Sequence, residues 1–156
     1  MVMIIAGEAS GDQHAADLFL ALKKELPAVT ALGMGGRNMR DVGIDIRFDS
    51  TDIAVMGVDG LFRKLPKIRQ ALGLMRTLVC EEKPDLLICV DYKEFNFKLA
   101  RHAKSCGVKV LFYVSPQVWA WRPGRVRKYG RVIDHMAVIF PFEVYFYQEH
   151  RVPVTF

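Results

Sequence analysis

Short apolar runs alternate with longer amphipathic ones along this chain. Val2 to Ala6 is apolar throughout and stops at Gly7, which predicts a buried strand. A small polar loop follows, Gly7-Glu8-Ala9-Ser10-Gly11-Asp12, with Ser10 or Asp12 in position to cap a helix. In that helix Ala15, Leu18, Phe19, Leu22 and Leu26 recur at helical spacing, and Pro27 ends it. Val29 to Leu32 predicts a second strand, closed by the glycines of Gly33-Met34-Gly35-Gly36. Arg37 to Val42 predicts a short helix stopped by Gly43, and Ile44 to Phe48 a weaker extended piece. The helical period returns from Leu61 to Leu78, with Pro66 either starting or kinking it and Lys83-Pro84 closing the element. Leu86 to Val90 is the clearest strand and delivers Asp91 at its carboxyl end. Phe95 to Ser105 reads as a helix closed by Cys106-Gly107, and Val108 to Val114 as a strand. A loop, Ser115 to Trp121, leads into a basic helix near Val126 to Val132, a strand from Met136 to Phe140 and a helix from Phe142 to His150. Strand and helix alternate about six times, which predicts an α/β fold with a mainly parallel sheet, right-handed crossovers and helices on both faces.

In such sheets ligands bind beyond the carboxyl ends of the strands. Four unusual loops fall there: Gly7 to Asp12, Gly33 to Gly36, Asp91 to Asn96 and Ser115 to Arg122. Their convergence on one edge is the expected functional site. The first loop is neither a Walker loop nor a GxGxxG turn. Its carboxylates, Glu8 and Asp12, repel phosphate and suit sugar hydroxyls, although a tight turn with a good cap explains the same residues. Asp91, partly desolvated at a strand end, has the setting of a general base; capping the next helix or pairing with Lys93 or Lys98 is the structural alternative. The indoles of Trp119 and Trp121 lie between Pro116 and Pro123. They suit either stacking on a sugar or plugging the core beneath the loop.

Composition narrows the class. The chain has 156 residues, one domain's worth, and 51% apolar residues exclude a disordered chain. No apolar stretch approaches the ~20 residues of a membrane-spanning helix. Three cysteines without CxxC spacing predict reduced thiols, not a disulfide frame. The four histidines have no metal-ligand spacing, so no metal site is expected. The net charge of +5 resolves into two clusters. Arg63, Lys64, Lys67, Arg69 and Arg76 lie among Leu61, Phe62, Leu65, Ile68, Leu72, Leu74, Met75 and Leu78. This is the pattern of a helix on an anionic membrane surface, or of a solvated helix face packing its apolar side on the sheet. Arg122, Arg125, Arg127, Lys128 and Arg131 suit phosphate recognition, with no nucleic-acid-binding motif beside them.

Several segments, taken together, resemble one family. They are Ala6-Gly7-Glu8-Ala9-Ser10-Gly11-Asp12, Val55-Met56-Gly57, Lys83-Pro84-Asp85, Asp91 with Phe95-Asn96, Tyr113-Val114-Ser115-Pro116-Gln117-Val118-Trp119-Ala120-Trp121-Arg122 and Pro141-Phe142-Glu143. In order and spacing they are similar to lipid-A-disaccharide synthases, over essentially the whole chain. The resemblance implies a doubly wound, Rossmann-like domain, the amino-terminal half of a GT-B glycosyltransferase. Residues 1–156 would be the acceptor-side domain, with the UDP-sugar-binding domain absent from this chain. The implied reaction moves a diacylated glucosamine from UDP to the 6-hydroxyl of a diacylated glucosamine 1-phosphate. The product is the β-1,6-linked lipid A precursor of Gram-negative bacteria. It implies inversion without metal or other cofactor, at the cytoplasmic face of the inner membrane, with no nucleic-acid partner.

Residue by residue, the resemblance makes Asp91 the general base. Glu8, Ser10, Gly11, Asp12, Glu94, Asn96, Ser115, Trp119, Trp121 and Arg122 become substrate-binding residues. Leu61, Phe62, Arg63, Lys64, Leu65, Lys67, Ile68 and Arg69 become the lipid-facing and membrane-facing segment. Two positions depart from the family pattern. Asp91-Tyr92-Lys93-Glu94-Phe95-Asn96 stands where the family has Asp-Ala-Pro-Asp-Phe-Asn, which leaves Glu94's role open. Gly60 stands where a glutamate is common, so that glutamate's role is not carried over. The alternative function is a non-catalytic fragment of the same family that binds lipid and membrane.

Overall fold

The computed structural model describes residues 1–53, 58–115 and 124–156, and the side chains of these except 58–63, 124 and 125. The strands are β1 (Val2–Ala6), β2 (Ala31–Gly35), β3 (Asp45–Asp49), β4 (Leu86–Val90), β5 (Lys109–Tyr113), β6 (His135–Ala137) and β7 (Val154–Thr155). The helices are α1 (Ala9–Glu25), α2 (Arg37–Asp41), α3 (Val58–Glu82), α4 (Lys93–Ser105), α5 (Gly124–Gly130) and α6 (Pro141–Glu149). All seven strands join one parallel sheet in the order β3-β2-β1-β4-β5-β6-β7. The fold is α/β and Rossmann-like, as the alternation of runs predicts.

The two-residue side-chain period of the central strands builds both cores. On β1, Met3 and Ile5 face one side while Val2, Ile4 and Ala6 face the other. On β4, Leu87 and Cys89 divide from Ile88 and Val90 in the same way. Because both faces are covered, these strands read as continuous apolar runs. Helices α1 and α2 cover the second face, through Ala15, Phe19 and Met39. Helices α3 and α4 cover the first, through Ala71, Met75, Leu78, Val79, Leu99 and Ala103. Burying one such large side chain contributes roughly 1.5–3 kcal/mol.

Three local expectations are corrected. The glycines after Leu32 do not close β2; the strand continues to Gly35. Gly33 lies so close to β1 that a Cβ there would overlap the Ile4 carbonyl, so glycine is what lets the two strands pair. Helix α3 begins at Val58, before Leu61, and Pro66 therefore lies inside it, where it removes one backbone donor. The expectation of three reduced thiols fails for two of them. Cys80, at the end of α3, and Cys106, which caps α4, form a disulfide with Cα atoms 5.8 Å apart. The sequence separates them by a strand; the fold brings two helix ends together. Cys89 alone is free, inside the core. Among the described residues no helix is long and apolar enough to cross a membrane.

Candidate active site

The strand order reverses between β1 and β4, which leaves a crevice where their following loops part. Ala6 and Val90 are paired in register, so Gly7-Glu8 and Asp91-Tyr92 leave the sheet side by side. The Tyr92 ring lies directly over Gly7, where any Cβ would overlap it. Asp91 and Tyr92 both adopt left-handed backbone, at φ 49° and 46°. For residues other than glycine this costs on the order of 1–3 kcal/mol each, and surrounding contacts must hold it. Asn96 supplies them. Fully buried on α4, it donates from Nδ2 to the carbonyl of Asp91 at 2.6 Å and of Val90 at 3.3 Å. Its Oδ1 has no partner among the described residues.

This turn presents the Asp91 side chain at the mouth of the crevice, half-buried. Among the described residues its carboxylate makes no hydrogen bond or ion pair, and it does not cap α4. The structural alternatives of capping, or of pairing with Lys93 or Lys98, are therefore not realised. Tyr92 stacks on Phe95 at 5.3 Å, and burial together with the charge of Glu8 raises its hydroxyl pKa.

The crevice opens into a cavity of about 680 Å³ with two kinds of wall. Leu65, Ile68 and Leu72 of α3 give it an apolar side. Glu8, Asp91 and Glu94 bring carboxylates, and Arg69, Lys93 and Lys98 bring cations. The helix that reads as basic and amphipathic thus forms one side of the pocket entered by Asp91. Its buried stripe is Ala71, Met75, Leu78 and Val79, while Leu65 and Leu74 remain 37% exposed. Lys67 and Arg69 are exposed, and Lys67 lies 3.7 Å from Asp52.

Other expected site residues have different surroundings. Asp12 is inside the first turn of α1 and only 4% exposed. Its carboxylate accepts from the backbone N–H of Gly36 (2.6 Å), Asn38 (2.9 Å) and Met39 (3.3 Å), so it caps α2 and not its own helix. The Gly33 to Gly36 segment belongs to this capping arrangement. Gly11 is buried against Ala6 and Val90, where a Cβ would meet Ala6 Cβ at an ordinary contact distance of 3.5 Å. Ser10, like Glu8, is exposed.

Ser115 is buried in a polar chain. Its hydroxyl donates to Glu143 Oε1 at 2.6 Å, Tyr147 donates to it at 3.3 Å, and Glu143 Oε2 accepts from the Phe140 N–H at 3.1 Å. Burial pushes the Tyr147 hydroxyl up to about 12, with the Glu143 charge adding and the Ser115 bond opposing. Trp119, Trp121 and Arg122, with Val55-Met56-Gly57, lie outside the described residues, as do the side chains of Gly60, Leu61, Phe62, Arg63 and Arg125. Sequence reasoning missed Tyr92, Phe95 and Leu72 as lining residues, and treated Lys93 and Lys98 only as partners for Asp91. The apolar period does mark Leu72 and Phe95; nothing in the pattern marks Tyr92, whose placement depends on Gly7 opposite.

Comparison with known proteins adds a second line of support. A sequence profile described as lipid-A-disaccharide synthetase matches residues 2–156. The lipid-A-disaccharide synthase of Nitrosococcus oceani is 52% identical over 156 residues, which are 100% of this chain and 40% of that protein. Those of Trichlorobacter lovleyi and Coxiella burnetii are 49% and 43% identical, over 99% of this chain and 40% and 41% of their own lengths. The chain therefore spans about 40% of the length of these relatives. With a profile matching from the first strand to the last residue, the chain belongs to the lipid-A-disaccharide synthetase family.

Proposed function

We propose that this chain is the acceptor-side domain of a lipid-A-disaccharide synthase, with Asp91 as the general base. The observation that carries the reading is a carboxylate without a protein partner among the described residues, held by a strained turn beside an apolar wall. A diacylated glucosamine 1-phosphate combines the groups that such a cavity suits. Its acyl chains match Leu65, Ile68 and Leu72, its hydroxyls match Glu8 and Glu94, and its phosphate matches Arg69, Lys93 and Lys98. In the reaction the acceptor 6-hydroxyl attacks the anomeric carbon of UDP-diacylglucosamine. The new C–O bond forms as the bond to UDP breaks, the hydroxyl proton passes to Asp91, and UDP leaves with the electron pair. One displacement inverts the anomeric centre, and a positioned base contributes about 10²–10⁴ to its rate.

The donor-binding half of the site is assigned to a second domain of the GT-B type. The enzyme works peripherally at the cytoplasmic face of the inner membrane, with α3 toward the lipid. The exposed Leu65 and Leu74 and the cations Lys67 and Arg69 support that orientation. In an enzyme that contains this chain and the donor domain, Asp91→Ala is expected to lower turnover by about 10²–10⁴. Transfer of a labelled acceptor measures this, and retained turnover would remove Asp91 from the mechanism. The isolated chain is expected to bind anionic vesicles without catalysing transfer. Replacing Arg63, Lys64, Lys67 and Arg69 with Ser should weaken that binding by about 1 kcal/mol per cation at the surface. Unchanged sedimentation with anionic vesicles at low salt would count against α3 as the membrane-facing element.

A further inference from the structure

Helices in a parallel α/β sheet run opposite to the strands, so α3 and α4 both end at the edge remote from the Asp91 crevice. Three side chains with metal-binding atoms meet there. Cys80 lies in the last turn of α3; His102 and Cys106 are one turn apart at the end of α4. His102 Nε2 lies 3.3 Å from Cys80 Sγ and 3.6 Å from Cys106 Sγ. All three donor atoms fall within 4.8 Å of one another, and all three residues are half-buried. The active site described above uses none of them. A groove of about 450 Å³, lined in part by His102, Phe97 and Ser105, gives solvent access to the cluster.

We propose that, with the Cys80–Cys106 bond reduced, Cys80, His102 and Cys106 bind one thiophilic divalent cation of the Zn²⁺ type. Two sulfurs and an imidazole nitrogen are the donor set preferred by such ions, and solvent completes a tetrahedron. Reduction by an external dithiol supplies two electrons and two protons to the sulfurs, and the dithiol becomes a disulfide. The ion then displaces the two thiol protons to water and takes the Nε2 lone pair, while Nδ1 of His102 keeps its proton. Two thiolates, a neutral imidazole and a divalent ion sum to zero charge. The half-buried site therefore gains no net charge beside Arg76 and Arg101, which also line the groove. The disulfide and the metal exclude each other, because each requires both sulfurs. Cys89 is not a competitor: it is fully buried, and burial raises its thiol pKa well above the usual range.

Co²⁺ titration of the full chain, reduced with a phosphine under argon, tests this. The expected result is one equivalent bound, with thiolate-to-cobalt charge-transfer absorption and intense tetrahedral d–d bands that Zn²⁺ then abolishes. Cys80→Ser and Cys106→Ser are each expected to weaken binding by more than the roughly 10–100-fold that loss of an outer-shell partner costs. Far-UV circular dichroism checks that they fold. His102→Ala, which keeps both thiols, should also weaken binding and alter the d–d bands, whereas Cys89→Ala should leave the spectrum unchanged. Absence of the charge-transfer band in the reduced chain overturns the proposal. So does its persistence in the Cys80→Ser/Cys106→Ser double variant, or an unaltered spectrum and affinity in His102→Ala.

Discussion

Asp12 and Asp91 follow neighbouring strands at the same edge of the sheet, yet their surroundings are opposites. Around Asp12 every polar direction is answered: three backbone N–H groups of α2 converge on a carboxylate that water scarcely reaches. Around Asp91 the backbone is strained and buttressed, while the carboxylate itself is left without a protein donor among the described residues. Hydrogen bonds to a charged group that stay intact throughout a reaction cycle stabilise the fold. A carboxylate whose backbone is held but whose oxygens have no partner among the described residues fits the role proposed for Asp91. Position at a strand end does not separate the two; the fate of the lone pairs does.

Urea unfolding of single variants sharpens this contrast. Asp12→Ala removes three donor–acceptor pairs and is expected to cost about 3 kcal/mol. The enzyme that remains folded should keep its specific activity, and a variant that loses activity without losing stability would break the contrast. Ser115→Ala deprives the buried Glu143 of a donor and should cost about 2 kcal/mol. Asn96→Ala releases the carbonyls of Val90 and Asp91, with an expected loss of about 1 kcal/mol. On the role proposed for Asp91, Asn96 would act by positioning it, so kcat should fall more than KM rises; an equal effect on both would reduce it to a packing role. Asp91→Asn should change stability least, by no more than about 0.5 kcal/mol, because the amide tolerates left-handed backbone equally well. A loss of several kcal/mol there would show that Asp91 has a structural partner.

Much of this was legible beforehand, for identifiable reasons. Leu86 to Val90 is a short apolar run with an abrupt polar end, so local pattern alone delivers Asp91 to the sheet edge. Leu65, Ile68 and Leu72 carry a helical period that survives even Pro66. What escaped the sequence depends on contacts between distant segments. The Gly33 to Gly36 run imitates a ligand loop, but Gly33 answers to the Ile4 carbonyl and Gly36 to Asp12. Ser115 sits in a distinctive motif, yet its partners are on α6. Cys80 and Cys106 are unremarkable in spacing because a strand intervenes, and only the packing of α3 beside α4 makes them neighbours.

The all-parallel sheet also governs how the chain must be made. Val2 opens β1, an interior strand, and one of its two neighbours is β4, whose Leu86 must arrive opposite it. At about 5–20 residues per second of synthesis, roughly 4–17 s separate these two strands. Parallel pairing offers no hairpin to shelter β1 meanwhile. One edge of the wholly apolar β1 therefore stays unpaired in the nascent chain until β4 emerges, and that interval is where chaperone capture or aggregation competes most directly with folding.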